Sequence, residues 1–164
     1  MSSVDDLKNA FAGESQARSK YLAFAKKADE DGFHQVARLF RAAADAEGIH
    51  AYNHLRAMNG IGSTSENLLS AISGENYEVV SMYPPMIEDA IAEGNKRAQA
   101  TFQFAYEVEK THEMLYQEAL DGLGKSDEEY DYYVCPVCGH THKRSAPDKC
   151  PVCGTPGSKF FAVH

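Results

Sequence analysis

The chain is 164 residues long, 43% hydrophobic and 24% charged, with a formal net charge of -8. That length suits one well-buried core plus a small appendage, and the acidity argues against a nucleic-acid role, which needs a basic surface. No run of eighteen apolar residues occurs and the start Met1-Ser2-Ser3-Val4-Asp5-Asp6 has no apolar signal region, so no membrane partner, a cytoplasmic location and reduced thiols are expected.

A first helix is predicted from a Ser3/Asp6 capping box, through Leu7, Phe11, Tyr21, Ala25 and Ala28, to Asp31-Gly32, with Glu14 on its apolar stripe. A second, from about Phe33 to Met58, puts Phe33, Val36, Phe40, Ala44 and Ala51 on one face with Glu47, His50 and His54, and Asn59-Gly60 stops it. A third begins near Ser65, carries Leu68, Ile72, Val79, Met82 and Met86 inward with Glu75 and Glu78, is kinked by Pro84-Pro85 and ends at Glu93-Gly94. A fourth, from about Lys96 to Leu120, turns Glu109 and His112 inward before Gly122 and Gly124. Periodicity is then lost, giving a helical domain over 1–124, a linker over 125–133 and a cysteine module over 134–164.

The two halves of the helical region match. Gly13-Glu14 pairs with Gly74-Glu75, Tyr21 with Tyr83, Asp31-Gly32 with Glu93-Gly94, and Glu47-x-x-His50 with Glu109-x-x-His112, as in a duplicated helical hairpin. A glutamate and a histidine three residues apart share one helix face and can reach one metal ion. Any one of these glutamates could face water. Glu14, Glu47, Glu75, Glu78 and Glu109 all on inward stripes, with His50 and His112 in duplicate register, instead fit a carboxylate-bridged di-metal site in a mainly α, four-helix bundle. Hard oxygen donors with few imidazoles suit iron or manganese. The matched positions of Tyr21 and Tyr83 point to hydrogen bonding around that site, and glycines beside equivalent glutamates suggest close approach of a helix or ligand. His54 reads as a satisfied core histidine, and His34, His140, His142 and His164 as surface residues.

Cys135-Pro-Val-Cys138-Gly and Cys150-Pro-Val-Cys153-Gly each present two thiolates from a tight turn, and together they close a tetrahedral site. Spacing alone favours zinc. A redox-active neighbour favours iron, because zinc carries no electron.

Taken together, Ala10-Phe11-Ala12-Gly13-Glu14-Ser15-Gln16-Ala17-Arg18, the two Glu-x-x-His pairs, Gly74-Glu75 with Glu78, Met82-Tyr83-Pro84 and the terminal knuckles resemble the rubrerythrin family over nearly the whole chain. The resemblance implies a ferritin-like di-iron bundle with a rubredoxin-like Fe(Cys)4 domain, and a peroxidase that reduces hydrogen peroxide to water with electrons ultimately from NADH through a separate reductase. It implies Glu47 and Glu109 as bridges, Glu14 and Glu75 as terminal ligands, His112 on the second iron, and His50 and Glu78 exchanging on the first. Ser81, where family members often carry glutamate, and the extra Pro85 depart from the pattern. In such a bundle the second and third helices run parallel, so the link must climb about 33 Å at 1.5 Å per residue, whereas about five linker residues reach roughly 17 Å. A domain-swapped homodimer is therefore expected, with electron delivery into the partner subunit's site. Two other readings stay open: a ferroxidase with structural zinc at the cysteines, and a non-enzymatic electron-transfer or redox-sensing protein.

Overall fold

The structure is a computed structural model that describes residues 2–126 and 128–164. Five helices, α1 (Ser3–Glu30), α2 (His34–Ala57), α3 (Thr64–Tyr77), α4 (Tyr83–Ala92) and α5 (Lys96–Gly122), precede three short strands, β1 (Tyr132–Val134), β2 (Thr141–Lys143) and β3 (Phe161–Val163). They form two compact units, Met1–Gly62 and Ser63–His164. No helix among the described residues is long and apolar enough to cross a membrane.

The first unit is an α1–α2 hairpin. Its N-terminal cap lies one residue before the expected place: the Ser2 hydroxyl accepts from the Asp5 N–H, and the Asp5 carboxylate accepts from the Ser2 N–H at 3.0 Å. Gly32, at φ +82°, makes the left-handed turn between the helices. The seam is built of small residues, with Ala25, Ala28, Ala37, Ala44 and Ala51 buried, and Tyr21, Phe24 and Phe40 clustered at one end. Phe33 and Val36, expected to point inward, are 63% and 45% exposed, because one neighbouring helix covers less than the full apolar stripe. At Gly13 and Gly74 no part of the same chain makes the close approach: a Cβ on either meets nothing within 4 Å.

In the second unit α3 and α4 pack on α5, with the Asn76 amide donating to Glu113 Oε1 at 2.9 Å. The distortion expected at Pro84-Pro85 falls just before them, as a π turn over Glu78–Met82 closed by the Tyr83 N–H donating to the Glu78 carbonyl. Proline lacks an N–H and its ring displaces the carbonyl four residues back, so the strain is taken up in the preceding turn. The duplication records the same event. Tyr21 follows Glu14 by seven residues whereas Tyr83 follows Glu75 by eight, and a π turn is one residue wider than the α-helix it interrupts.

The cysteine module carries a sheet of order β2-β1-β3, antiparallel throughout, with Tyr133 opposite His142 on one side and Ala162 on the other. Its two knuckles are built alike. The Cys135 N–H donates to the His140 carbonyl and the Gly139 N–H to the Cys135 carbonyl; Cys150 with Thr155, and Gly154 with Cys150, repeat the pattern. Gly139 and Gly154 take φ values of +83° and +78°. Behind them the Gly157 N–H donates to the Asp148 carbonyl, and a Cβ at Gly157 would collide with the Pro147 carbonyl. Because backbone cannot yield as a side chain does, Gly157→Ala is expected to disrupt this module. The check is loss of metal retention by the four cysteines, with helical circular dichroism retained.

Candidate metal centres

The two Glu-x-x-His pairs fold into matching trios. In the first unit, His50 Nδ1 lies 2.9 Å from Glu47 Oε2 and 3.9 Å from Glu14 Oε1. In the second, His112 Nδ1 lies 2.7 Å from Glu109 Oε2 and 3.9 Å from Glu75 Oε1. One helical turn sets the Glu/His pair in each case, and the neighbouring helix of the same unit supplies the remaining glutamate. Within each trio, one donor atom per residue falls within 4.8 Å of the others.

The second trio is the drier: the side chains of Glu75, Glu109 and His112 are 18%, 16% and 27% exposed, against 53% for His50. Its electrostatics follow from that. Burial, then the nearby Glu109 charge, pushes Glu75 up to about 7, and the two carboxyls share a hydrogen bond. Glu78, on the π turn and outside the trio, is also raised by burial and by Glu109. The Glu109 carboxylate holds the His112 imidazole above its ordinary value against the opposing effect of burial. Protons here occupy places a cation fills, so the donor set fits a metal ion.

Tyr83 lies within reach of the carboxylate charges, since burial and then Glu78, Glu109 and Glu75 raise its phenol, and its ring packs on Phe102. Tyr21, its counterpart, packs between Phe24 and Phe40. His54 is half-buried along α2 and belongs to neither trio.

The four cysteines are free thiols whose sulfurs pair at 3.6 Å, Cys135 with Cys153, and 3.5 Å, Cys138 with Cys150. Four thiolates about 2.3 Å from one ion would stand roughly 3.8 Å apart, so the cage is close to metal-sized as it is. Burial pushes the Cys138 thiol up, while Cys153 lies at about 6 despite burial, because the Thr155 hydroxyl and N–H stabilise its thiolate.

His140 is not the surface residue the sequence suggests. It is 6% exposed, neither ring nitrogen has a hydrogen-bond partner among the described residues, and burial followed by the His142 and His112 charges lowers its pKa. It closes the first knuckle, its carbonyl accepting from the Cys135 N–H, and no periodicity announces its burial there. Thr141 and Thr155 were also missed. Thr141 Oγ1 stands 2.9 Å from His112 Nε2.

Both raised groups of the second trio act in one direction on stability. A carboxyl lifted from about 4.3 and an imidazole lifted above about 6.5 mean that the folded, metal-free protein binds more protons than the unfolded chain. Its stability is then greatest below those ordinary values and is lost as pH rises through the folded ones, across about pH 5 to 8. Thermal unfolding of the metal-stripped protein should show that fall, and Glu75→Gln should flatten it. Added zinc should reverse the trend, because ligands must lose protons to bind.

Comparison with known proteins returns one consistent answer. A family model described as "Rubrerythrin" matches residues 5–120, and one described as "Rubrerythrin, rubredoxin-like domain" matches 133–161. "Rubrerythrin-2" of Clostridium acetobutylicum is 36% identical, covering 97% of this chain and 95% of that protein. "Nigerythrin" of Nitratidesulfovibrio vulgaris is 38% identical over 98% and 86%. A solved structure titled "Fully reduced state of nigerythrin (all ferrous)" matches with a TM-score of 0.61 at 36% identity, covering 99% of this chain and 87% of that one. The mainly α, ferritin-like class with a small rubredoxin-like knuckle domain, expected above, is the class of these relatives.

Proposed function

The chain belongs to the rubrerythrin family, a di-iron redox family carrying a rubredoxin-like domain, and on that premise we propose that it is a peroxidase reducing hydrogen peroxide to water in oxidative-stress defence. The observation that carries this reading is the occurrence, in one chain, of two equivalent Glu/Glu/His trios and a four-thiol cage. Two non-haem irons would supply the two electrons that convert peroxide and two protons to two waters, and an iron at Cys135, Cys138, Cys150 and Cys153 would replace them singly from an NADH-linked reductase.

The protein's part is to hold and orient. By the family resemblance Glu47 and Glu109 would bridge, Glu14 and Glu75 would be terminal ligands and His112 would hold the second ion. His50, more than half exposed, and Glu78, on a π turn, have the freedom to exchange at the first. Tyr83 stays protonated beside three carboxylates and can donate a hydrogen bond to them. In functional terms residues 1–124 hold the di-iron site, 125–133 link and 134–164 relay electrons.

The reading includes a hairpin-swapped homodimer, in which α1 and α2 of one chain complete a bundle with α3 to α5 of its partner. Three features support it: only residues 58–63 connect α2 to α3, Phe33, Leu39, Ile49 and Val80 remain mostly exposed, and Gly13 and Gly74 offer open backbone. Light scattering should give twice the chain mass; a monomer retaining the di-iron site would sink the swap.

A visible spectrum with metal content tests the activity. A red protein whose thiolate-to-iron bands bleach with dithionite and return within seconds of adding peroxide is expected. Glu75→Ala should slow that return by more than about 100-fold, beyond the ~10–100-fold typical of losing an outer hydrogen-bond partner, with the oxidised spectrum unchanged. A colourless protein with one zinc per chain would instead favour a ferroxidase.

A further inference from the structure

Thr141 joins His112 to the turn that carries Cys138. On one side its Oγ1 lies 2.9 Å from His112 Nε2; on the other its hydroxyl donates to the Gly139 carbonyl at 3.2 Å, the residue directly after Cys138. Two positions along the strand, Lys143 Nζ donates to Glu118 Oε2 at 2.5 Å, so successive same-face residues of β2 both fasten to α5. The His112–Thr141 pair borders a cavity of about 360 Å³ lined largely by apolar side chains, Leu68, Leu115, Val134 and Val163 among them. In such surroundings an imidazole N–H without a partner is costly.

His112 presents Nδ1 to Glu109 and Glu75, so Nδ1 must be bare to accept a metal ion and Nε2 must then carry the ring proton. We propose that Thr141 is the positioning residue for this chain's di-metal site: it accepts the His112 Nε2–H, fixes that tautomer and ring orientation, and docks the four-cysteine module onto the helix that bears the ligand. The hydroxyl serves both neighbours at once, accepting from His112 while donating to Gly139. At the duplicated site the corresponding imidazole is open to solvent, the His50 side chain being 53% exposed.

The inference rests on the di-metal reading and extends it. The contact is made by the module to α5 of its own chain, the helix that in the proposed dimer would complete its bundle with the partner subunit's hairpin. With iron at both places, the Thr141 hydrogen bonds would lie on the route by which a ferrous ion held by the four thiolates, becoming ferric, reduces a ferric ion held by His112 to ferrous, with no bond broken.

The test uses full-length protein loaded with zinc at all sites, in which His112 is read by long-range proton–nitrogen NMR. Wild type is expected to show the Nε2–H tautomer with a slowly exchanging proton. Thr141→Val, which keeps the shape and removes the hydroxyl, should speed that exchange at least tenfold and weaken zinc binding at the bundle by ~10–100-fold. Thr141→Ser should restore both, which a merely structural defect of the strand would not allow. An unchanged valine variant, or a serine variant that fails to recover, overturns the proposal. In the iron-loaded protein, Thr141→Val should also slow the return of the thiolate-to-iron bands after peroxide by about tenfold. If wild-type bands never return, the peroxidase reading fails, while the zinc experiment still decides the role of Thr141.

Discussion

Glu75 and Glu109 cannot both be ionised, largely buried and hydrogen-bonded to one another, without a cation between them. Much of the second unit follows from that conflict. It keeps a proton on Glu75 to about pH 7, lifts Glu78, holds His112 toward its charged form and raises the Tyr83 phenol. A hydrophobic seam with the same backbone would be more stable alone. On the proposed di-metal reading a bound ion would convert that repulsion into coordination, and its binding energy would become folding energy.

The scaffold is correspondingly economical. In the first unit α1 and α2 meet along alanines, which bring the helices close enough for glutamates on neighbouring helices to converge. The larger apolar side chains lie outside the seam, so the hairpin alone covers only part of what the sequence supplies for burial. The cysteine module solves a different problem. Its sheet has three strands of three residues each, too little to stabilise itself, and four thiolates gathered on one ion would take the place of a core.

Helices, hairpins and the three side-chain clusters were legible because each rests on short-range arithmetic: three residues for a Glu/His pair, three again for the two cysteines of a knuckle, and a repeat that states each pattern twice. What was not legible depends on distance. Thr141 is 29 residues from His112, and nothing in a three-residue strand marks its hydroxyl as more than surface. His140 looked solvated because its neighbours Thr141, His142 and Lys143 are polar, yet the knuckle folds it inside. Gly13 and Gly74 were legible only in part: a helix-weakening residue signals that room is wanted but not by what. The kink was placed on the prolines themselves, although the backbone absorbs a proline in the turn before it.

That turn also dates events in the history of the chain. The position matching Glu78 in the first half is Ala17, three residues after Glu14 as Glu78 is after Glu75. The halves stay in step up to this point, differ by one residue by the time they reach Tyr21 and Tyr83, and are in step again to Asp31 and Glu93. A change of one codon in one copy accounts for the offset, as an insertion in the second half or a deletion in the first, and it came after the copying because the halves differ in it. Glu78 stands before the offset, in step with Ala17, so the extra carboxylate and the widened turn are two separate differences between the halves that fall side by side.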